Sequence, residues 1–81
     1  MGFYCYILEC ADRTFYTGWT MDPSRREKQH NTGRGARYTR ARLPVKLIYV
    51  EELTSRTEAM KRERVIKKMT RERKLKLVKS R

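Results

Sequence analysis

The chain has 81 residues, with 21 Lys or Arg against nine Asp or Glu and a formal net charge of +12. That length allows a single small domain spanning residues 1–81 and excludes a large cofactor-binding fold. The charge favours a polyanionic partner: nucleic acid first, with ribosomal RNA or an anionic membrane surface as the other options.

The basic excess is uneven. Residues 56–81 carry twelve basic and three acidic side chains, and residues 33–48 carry Arg34, Arg37, Arg40, Arg42 and Lys46 with no acid. The two cysteines, Cys5 and Cys10, lie about 16 Å apart if both sit on one extended strand, on opposite faces and beyond disulfide reach. With one histidine and no Cys-x-x-Cys pair, they make no zinc site. Reduced thiols, no apolar run of membrane-spanning length and no signal-peptide pattern together predict a cytoplasmic or nucleoid-associated protein without a membrane partner.

Residues 3–10 are aromatic and β-branched without Gly or Pro, which predicts a strand. Residues 11–13 turn the chain, and residues 14–20 return as a second strand. Alternation puts Tyr4, Tyr6, Leu8, Tyr16 and Gly18 on one face, and Phe3, Cys5, Ile7, Phe15, Thr17 and Trp19 on the other. A one-residue slip would exchange the faces. Both faces are apolar enough to be covered by helices.

Asp22 and Pro23 open a helix as N-cap and first-turn proline. It runs to about residue 30 without one large apolar residue, although a buried helix normally carries an apolar stripe. Its polar residues therefore need another use; Arg26 and His30 share a face at i,i+4. Residues 33–43 read as a basic, glycine-containing loop. Pro44 precedes a third strand, residues 45–53, whose alternation groups Val45, Leu47 and Tyr49 against Lys46, Ile48 and Val50. Ser55 and Glu58 form a capping box for a helix to about residue 69, on which Glu63 falls inside the stripe of Ala59, Met60 and Ile66. A carboxylate turned toward a core needs a cation, a metal or a raised pKa. Thr70 caps a last basic helix in residues 70–81, anchored by Leu75 and Val78. The fold class is α/β (α+β): a three-stranded, mostly antiparallel sheet packed by helices, in the order β-β-α-β-α-α.

Tyr6, Tyr16, Arg26, His30 and Glu63 are polar residues that the core pattern does not explain. They suit phosphodiester hydrolysis. Glu63 can hold Mg²⁺ or Mn²⁺, which need few protein ligands. Arg26 can stabilise phosphoryl charge. A tyrosine can act as base toward water, with His30 sharing its proton.

The motifs resemble the GIY-YIG endonuclease superfamily. Cys5-Tyr6-Ile7 stands at the first motif and Tyr16-Thr17-Gly18 at the second. The stretch Asp22 to Asn31 is similar to the family's arginine helix, and Glu58 to Glu63 to its metal-carboxylate helix. The likeness is greatest to small stand-alone bacterial members and to catalytic domains of branched-DNA endonucleases, which links it to DNA repair. It implies Tyr6 as general base, Tyr16 as its hydrogen-bonding companion, Arg26 and His30 as catalytic residues, Glu63 as metal ligand and Gly18 as a point of close backbone approach. Arg25, Arg34, Arg37, Arg40, Arg42, Lys67 and Lys68 are the expected nucleic-acid contacts. Tyr4 replaces the first-motif glycine and Thr17 the second-motif isoleucine. Glu27 occupies a usually apolar position, an expected weakness in the packing of its helix. The implied activity is metal-dependent hydrolysis of DNA, branched or flapped DNA included, with a protein partner for specificity. The alternative is a non-catalytic module binding DNA or RNA on the same fold. Oligomeric state is not written in the sequence.

Overall fold

The computed structural model of the chain describes residues 2–80. In chain order the elements are β1 (Phe3–Glu9), β2 (Phe15–Thr20), α1 (Pro23–Asn31), α2 (Arg37–Arg40), β3 (Lys46–Leu53), α3 (Arg56–Lys67) and α4 (Arg71–Lys79). The expected antiparallel sheet is present with strand order β2-β1-β3. Asp22, Ser55 and Thr70 all cap as expected, their side chains accepting from Arg25 N, Glu58 N and Arg73 N. Among the described residues no helix is long and apolar enough to cross a membrane.

The first hairpin is set by its turn. Cys10 N donates to Thr14 O at 2.8 Å, and Asp12 Oδ1 accepts from the Thr14 amide and hydroxyl at 3.1 and 2.6 Å. Arg13 takes the left-handed φ of 71° that the tight reversal requires. This register pairs Tyr6 with Gly18 and Leu8 with Tyr16, so Tyr6, Tyr16 and Gly18 do share one face.

Two expectations are corrected. The stretch 33–43 is not all loop: residues 37–40 close one helical turn, α2. Thr39 N and Arg40 N both reach Ala36 O, and the Thr39 hydroxyl donates to the same carbonyl at 2.9 Å. The simple alternation of β3 also fails. The register jumps between Ile7, paired with Tyr49, and Leu8, paired with Leu47. A bulge of this kind inserts one residue and turns the side chains beyond it to the other face. Tyr49 therefore packs with Ile7, while Val45 and Leu47 pack on the tyrosine face.

The sheet thus separates two small cores. On one face Cys5, Ile7, Tyr49 and Ile66 form a buried cluster, with Trp19, Met69, Leu77 and Val78 against it. Helices α3 and α4 cover this side; Leu77 joins Val78 as an anchor, a place expected for Leu75. On the other face Tyr6, Leu8, Cys10 and Val45 are buried together with Tyr16, Leu43 and Leu47 against them. Cys5 and Cys10 are both free and buried, one in each cluster. Burial pushes the Cys5 thiol up to about 11, and its Sγ donates to Ala59 O at 3.1 Å.

Helix α1 covers the tyrosine face without an apolar stripe because polar groups fasten it. Asn31 brackets Val45: its Nδ2 donates to Val45 O at 3.0 Å, and Val45 N donates to its Oδ1 at 2.7 Å. Glu27 Oε2 accepts from Leu47 N at 2.7 Å. The glutamate expected to weaken this packing instead binds the helix to the edge strand.

Candidate active site

Tyr6 lies mid-strand on β1, and Gly18 lies opposite it on β2. A β-carbon at position 18 would stand 2.6 Å from Tyr6 Oη, inside contact distance. The space left by the missing side chain at Gly18, expected as a point of close backbone approach, is filled by the Tyr6 phenol. Tyr16, two residues earlier on β2, brings its ring centroid to 6.5 Å from that of Tyr6 and 5.3 Å from that of His30.

Helix α1 delivers His30, only 1% exposed, with Nε2 3.1 Å from Tyr6 Oη. Its other ring nitrogen, Nδ1, lies 2.7 Å from Thr39 Oγ1 on α2. One turn before His30, Arg26 lines the same cavity. Burial pulls the His30 pKa below its ordinary value, and the Arg26 charge adds to this, so the imidazole is neutral at neutral pH. Burial also pushes the Tyr6 phenol above its ordinary pKa. Tyr16 and Glu63 add to that rise, and Arg26 opposes it.

Helix α3 supplies Glu63. Its side chain is 19% exposed and pairs with Lys67 Nζ at 3.2 Å, an i,i+4 contact. Tyr6, Tyr16, Gly18, Arg26, His30 and Glu63 all line one cavity of about 310 Å³. The five residues singled out from the sequence, spread over four elements, thus converge.

Among the described residues Glu63 is the sole carboxylate lining this cavity, and no group of three or more His, Cys, Asp or Glu could hold a metal. A closed metal site of protein ligands does not fit. A hydrated Mg²⁺ or Mn²⁺ held by one carboxylate and by substrate oxygens does, because Mg²⁺ dehydrates reluctantly and keeps most of its waters. The Lys67 ion pair is half-exposed, and such pairs are worth about 0–1 kcal/mol, too little to keep a divalent ion away from Glu63.

The expected nucleic-acid contacts divide. Arg34 lines the cavity. Arg25 lines a neighbouring hollow of about 340 Å³ together with Trp19, Arg26 and Arg56. Arg37, Arg40 and Lys68 are exposed. Lys67 is engaged with Glu63. Arg42 is engaged within the chain at the surface: Nε donates to Asp12 Oδ2 at 3.0 Å, Nη1 donates to Tyr38 O at 2.7 Å, and the guanidinium lies 3.9 Å from the Tyr38 ring centroid. Sequence reasoning missed Thr39, Gly35, Trp19 and Arg56. Thr39 and Gly35 sat inside a stretch read as loop, and only the return of that stretch onto His30 gives them meaning. Trp19 packs on the Cys5–Ile7 side, as strand alternation predicts, and also lines the cavity; Arg56 stands over its ring at 5.5 Å.

Known proteins share this chain's sequence and fold. A family model described as the GIY-YIG catalytic domain matches residues 2–76. A UPF0213 protein of Streptococcus agalactiae is 57% identical over 76 residues, covering 94% of this chain and 86% of that protein. A UPF0213 protein of Haloquadratum walsbyi is 50% identical over 74 residues, 91% of this chain and 83% of that one. The solution NMR structure of a UPF0213 protein from Bacillus halodurans superposes with a TM-score of 0.64 at 44% identity, covering 100% of this chain and 86% of that one. A second NMR structure, of a protein from E. faecalis, gives 0.66 at 43% identity, covering 99% and 85%. The match along nearly the whole chain and the convergence of both motifs on one cavity lead to one conclusion: the chain belongs to the GIY-YIG family, a family of nuclease-type catalytic domains, and is similar to its small UPF0213 members.

Proposed function

We propose that the chain is a metal-dependent endonuclease that hydrolyses phosphodiester bonds in DNA. One observation carries this reading: Tyr6, Tyr16, Arg26, His30 and Glu63 line a single open cavity. A phosphodiester enters with its non-bridging oxygens toward Arg26, whose fork of donors stabilises the charge that grows during attack. Tyr6 is protonated at neutral pH, so it cannot act as a standing phenolate. It takes the proton of the attacking water while its own proton passes to neutral His30. The water oxygen bonds to phosphorus as the bond to the leaving ester oxygen breaks, and that oxygen is protonated from solvent through the open cleft. Bound at Glu63, Mg²⁺ or Mn²⁺ would neutralise a non-bridging oxygen and the leaving oxygen.

The surface beside the cavity suits a strand of nucleic acid, the unpaired strand of flapped or branched DNA included. The hollow lined by Arg25 and Arg56 abuts the cavity through Trp19 and Arg26 and offers the next phosphate of a strand a place to lie. The test uses flap, junction, duplex and RNA substrates with Mg²⁺ or Mn²⁺, and compares wild type with Glu63→Gln. The expected result is cutting of flap or junction DNA that falls about 10²–10³-fold in kcat in the variant, the range for losing one charge-stabilising group. Equal cutting by both proteins would sink the proposal.

The Lys67–Glu63 pair favours a second reading, in which the carboxylate is structural and the chain only binds nucleic acid. That reading predicts salt-dependent binding without cleavage, unaffected by Glu63→Gln.

A further inference from the structure

We propose that Thr39 is a positioning residue that fixes His30 in the Nδ1–H tautomer and so sets the direction in which the Tyr6 proton moves. The proposal rests on the catalytic reading above for its consequence in kcat, but not for its structural content. Thr39 is fully buried and His30 is 1% exposed, so water does not complete their hydrogen bonding. Thr39 Oγ1 stands 2.9 Å from Ala36 O and 2.7 Å from His30 Nδ1. A carbonyl oxygen only accepts, and a threonine hydroxyl has one proton. If that proton pointed at His30, two oxygens would face each other at hydrogen-bond distance with none between them. With the proton on Ala36 O, Thr39 Oγ1 is an acceptor and Nδ1 must carry the hydrogen. The neutral ring then has its lone pair on Nε2, 3.1 Å from Tyr6 Oη, and the phenol donates to it.

The chain of donors therefore runs inward, from Tyr6 Oη to His30 Nε2, from His30 Nδ1 to Thr39 Oγ1, and from Thr39 Oγ1 to Ala36 O. It leaves the phenol lone pairs facing the cavity, where they can accept a proton from water. As that proton arrives, the phenol proton moves to Nε2; the resulting imidazolium keeps its Nδ1–H bond to Thr39, and no other proton has to move. The opposite tautomer would have Nε2 donate to Tyr6, turning the phenol proton toward the substrate and removing the acceptor. Gly35 holds the ring from the side: a β-carbon there would lie 2.2 Å from His30 Nδ1 and 2.5 Å from Cγ, so the loop backbone packs directly on the imidazole. One short turn, α2, thus carries a function that its basic composition conceals.

His30 is the one histidine of the chain, so its ring nitrogens can be read by two-dimensional ¹H–¹⁵N NMR without ambiguity. Wild type and Thr39→Ser are expected to give the Nδ1–H pattern. Thr39→Val, which keeps the shape and removes the acceptor, is expected to give Nε2–H or an average of both forms. Its kcat on flap DNA is expected to fall about 10–100-fold with KM unchanged, and to recover in Thr39→Ser; losing the partner that orients a functional histidine has effects of this size. An Nε2–H pattern in wild type, or the same tautomer in Thr39→Val, overturns the proposal. If wild type cuts no nucleic acid, the nuclease reading fails, while the NMR pattern still decides the role of Thr39 in fixing the tautomer.

Discussion

The two faces of the sheet are held by different forces. The α3–α4 side is a hydrophobic contact: Cys5, Ile7 and Ile66 are fully buried, and apolar burial is non-directional. The α1 side closes over a smaller apolar patch, but its helix is seated by directional bonds from Asn31 and Glu27 to β3 and from His30 to Tyr6 and Thr39. Non-directional packing tolerates small shifts; a set of hydrogen bonds fixes position to a fraction of an ångström. The face that presents His30 and Arg26 is the one built with that precision. Stability and chemistry should therefore separate when each face is damaged in turn.

The largest effect is expected on the apolar face. Ile66→Ala removes a fully buried side chain and is expected to destabilise by about 2–5 kcal/mol, most of the stability of a domain this small. Urea unfolding reads that loss, and kcat per folded molecule should fall only a little, since Glu63 is the one proposed site residue carried by α3. Asn31→Ala tests the polar face. It removes both bonds to Val45 and should destabilise by about 1–3 kcal/mol. It should also lower kcat in the fraction that remains folded, and by more than Ile66→Ala does, because Arg26 and His30 ride on the released helix. If its kcat per folded molecule is unchanged, the helix is seated by something else.

Acid should act through the polar face as well. The His30 pKa is depressed in the folded state from its ordinary 6.5, so the unfolded chain binds the proton more readily. Stability is then full above about pH 6.5 and declines as pH falls from there toward the folded-state pKa. Activity should fall on the same side, because protonated His30 cannot accept from Tyr6. Urea midpoints compared at about pH 7.5 and about pH 5.5, a window above most carboxylate titration, should drop, and the drop should vanish in His30→Gln. The smallest expected effect is a gain. Thr17 Oγ1 is buried on the apolar face without a hydrogen-bond partner among the described residues. Thr17→Val keeps the shape and removes that group, and should raise stability by about 1 kcal/mol, with kcat untouched.

Much of the apolar face could be read from the sequence, because strand alternation, capping residues and the Ala59–Ile66 spacing are local signals. The site residues were found through their motif positions and through the polar residues left over from the core pattern. What escaped was non-local. The bulge at Ile48 shows only in the pairing of β3 with β1, so alternation alone groups Tyr49 with Val45 and Leu47. Glu27 looked like a defect until Leu47 N was beside it. Thr39 reads as a loop residue, and Gly35 as an ordinary loop glycine, because the side chain both meet, His30, lies on α1. Each miss concerns a register, a polar partner or a close approach set by tertiary structure, and hydrophobic periodicity carries no trace of these.

The seating of α1 has another consequence. β3 is an edge strand, and unpaired edge groups are templates on which neighbouring chains add strands and aggregate. At the start of β3 and just before it those groups are already taken, since Asn31 occupies both polar groups of Val45 and Glu27 the amide of Leu47. A second chain cannot extend the sheet there without first displacing the helix that carries Arg26 and His30. At that edge, solubility and the active-site geometry depend on the same three hydrogen bonds, so selection for either would preserve both.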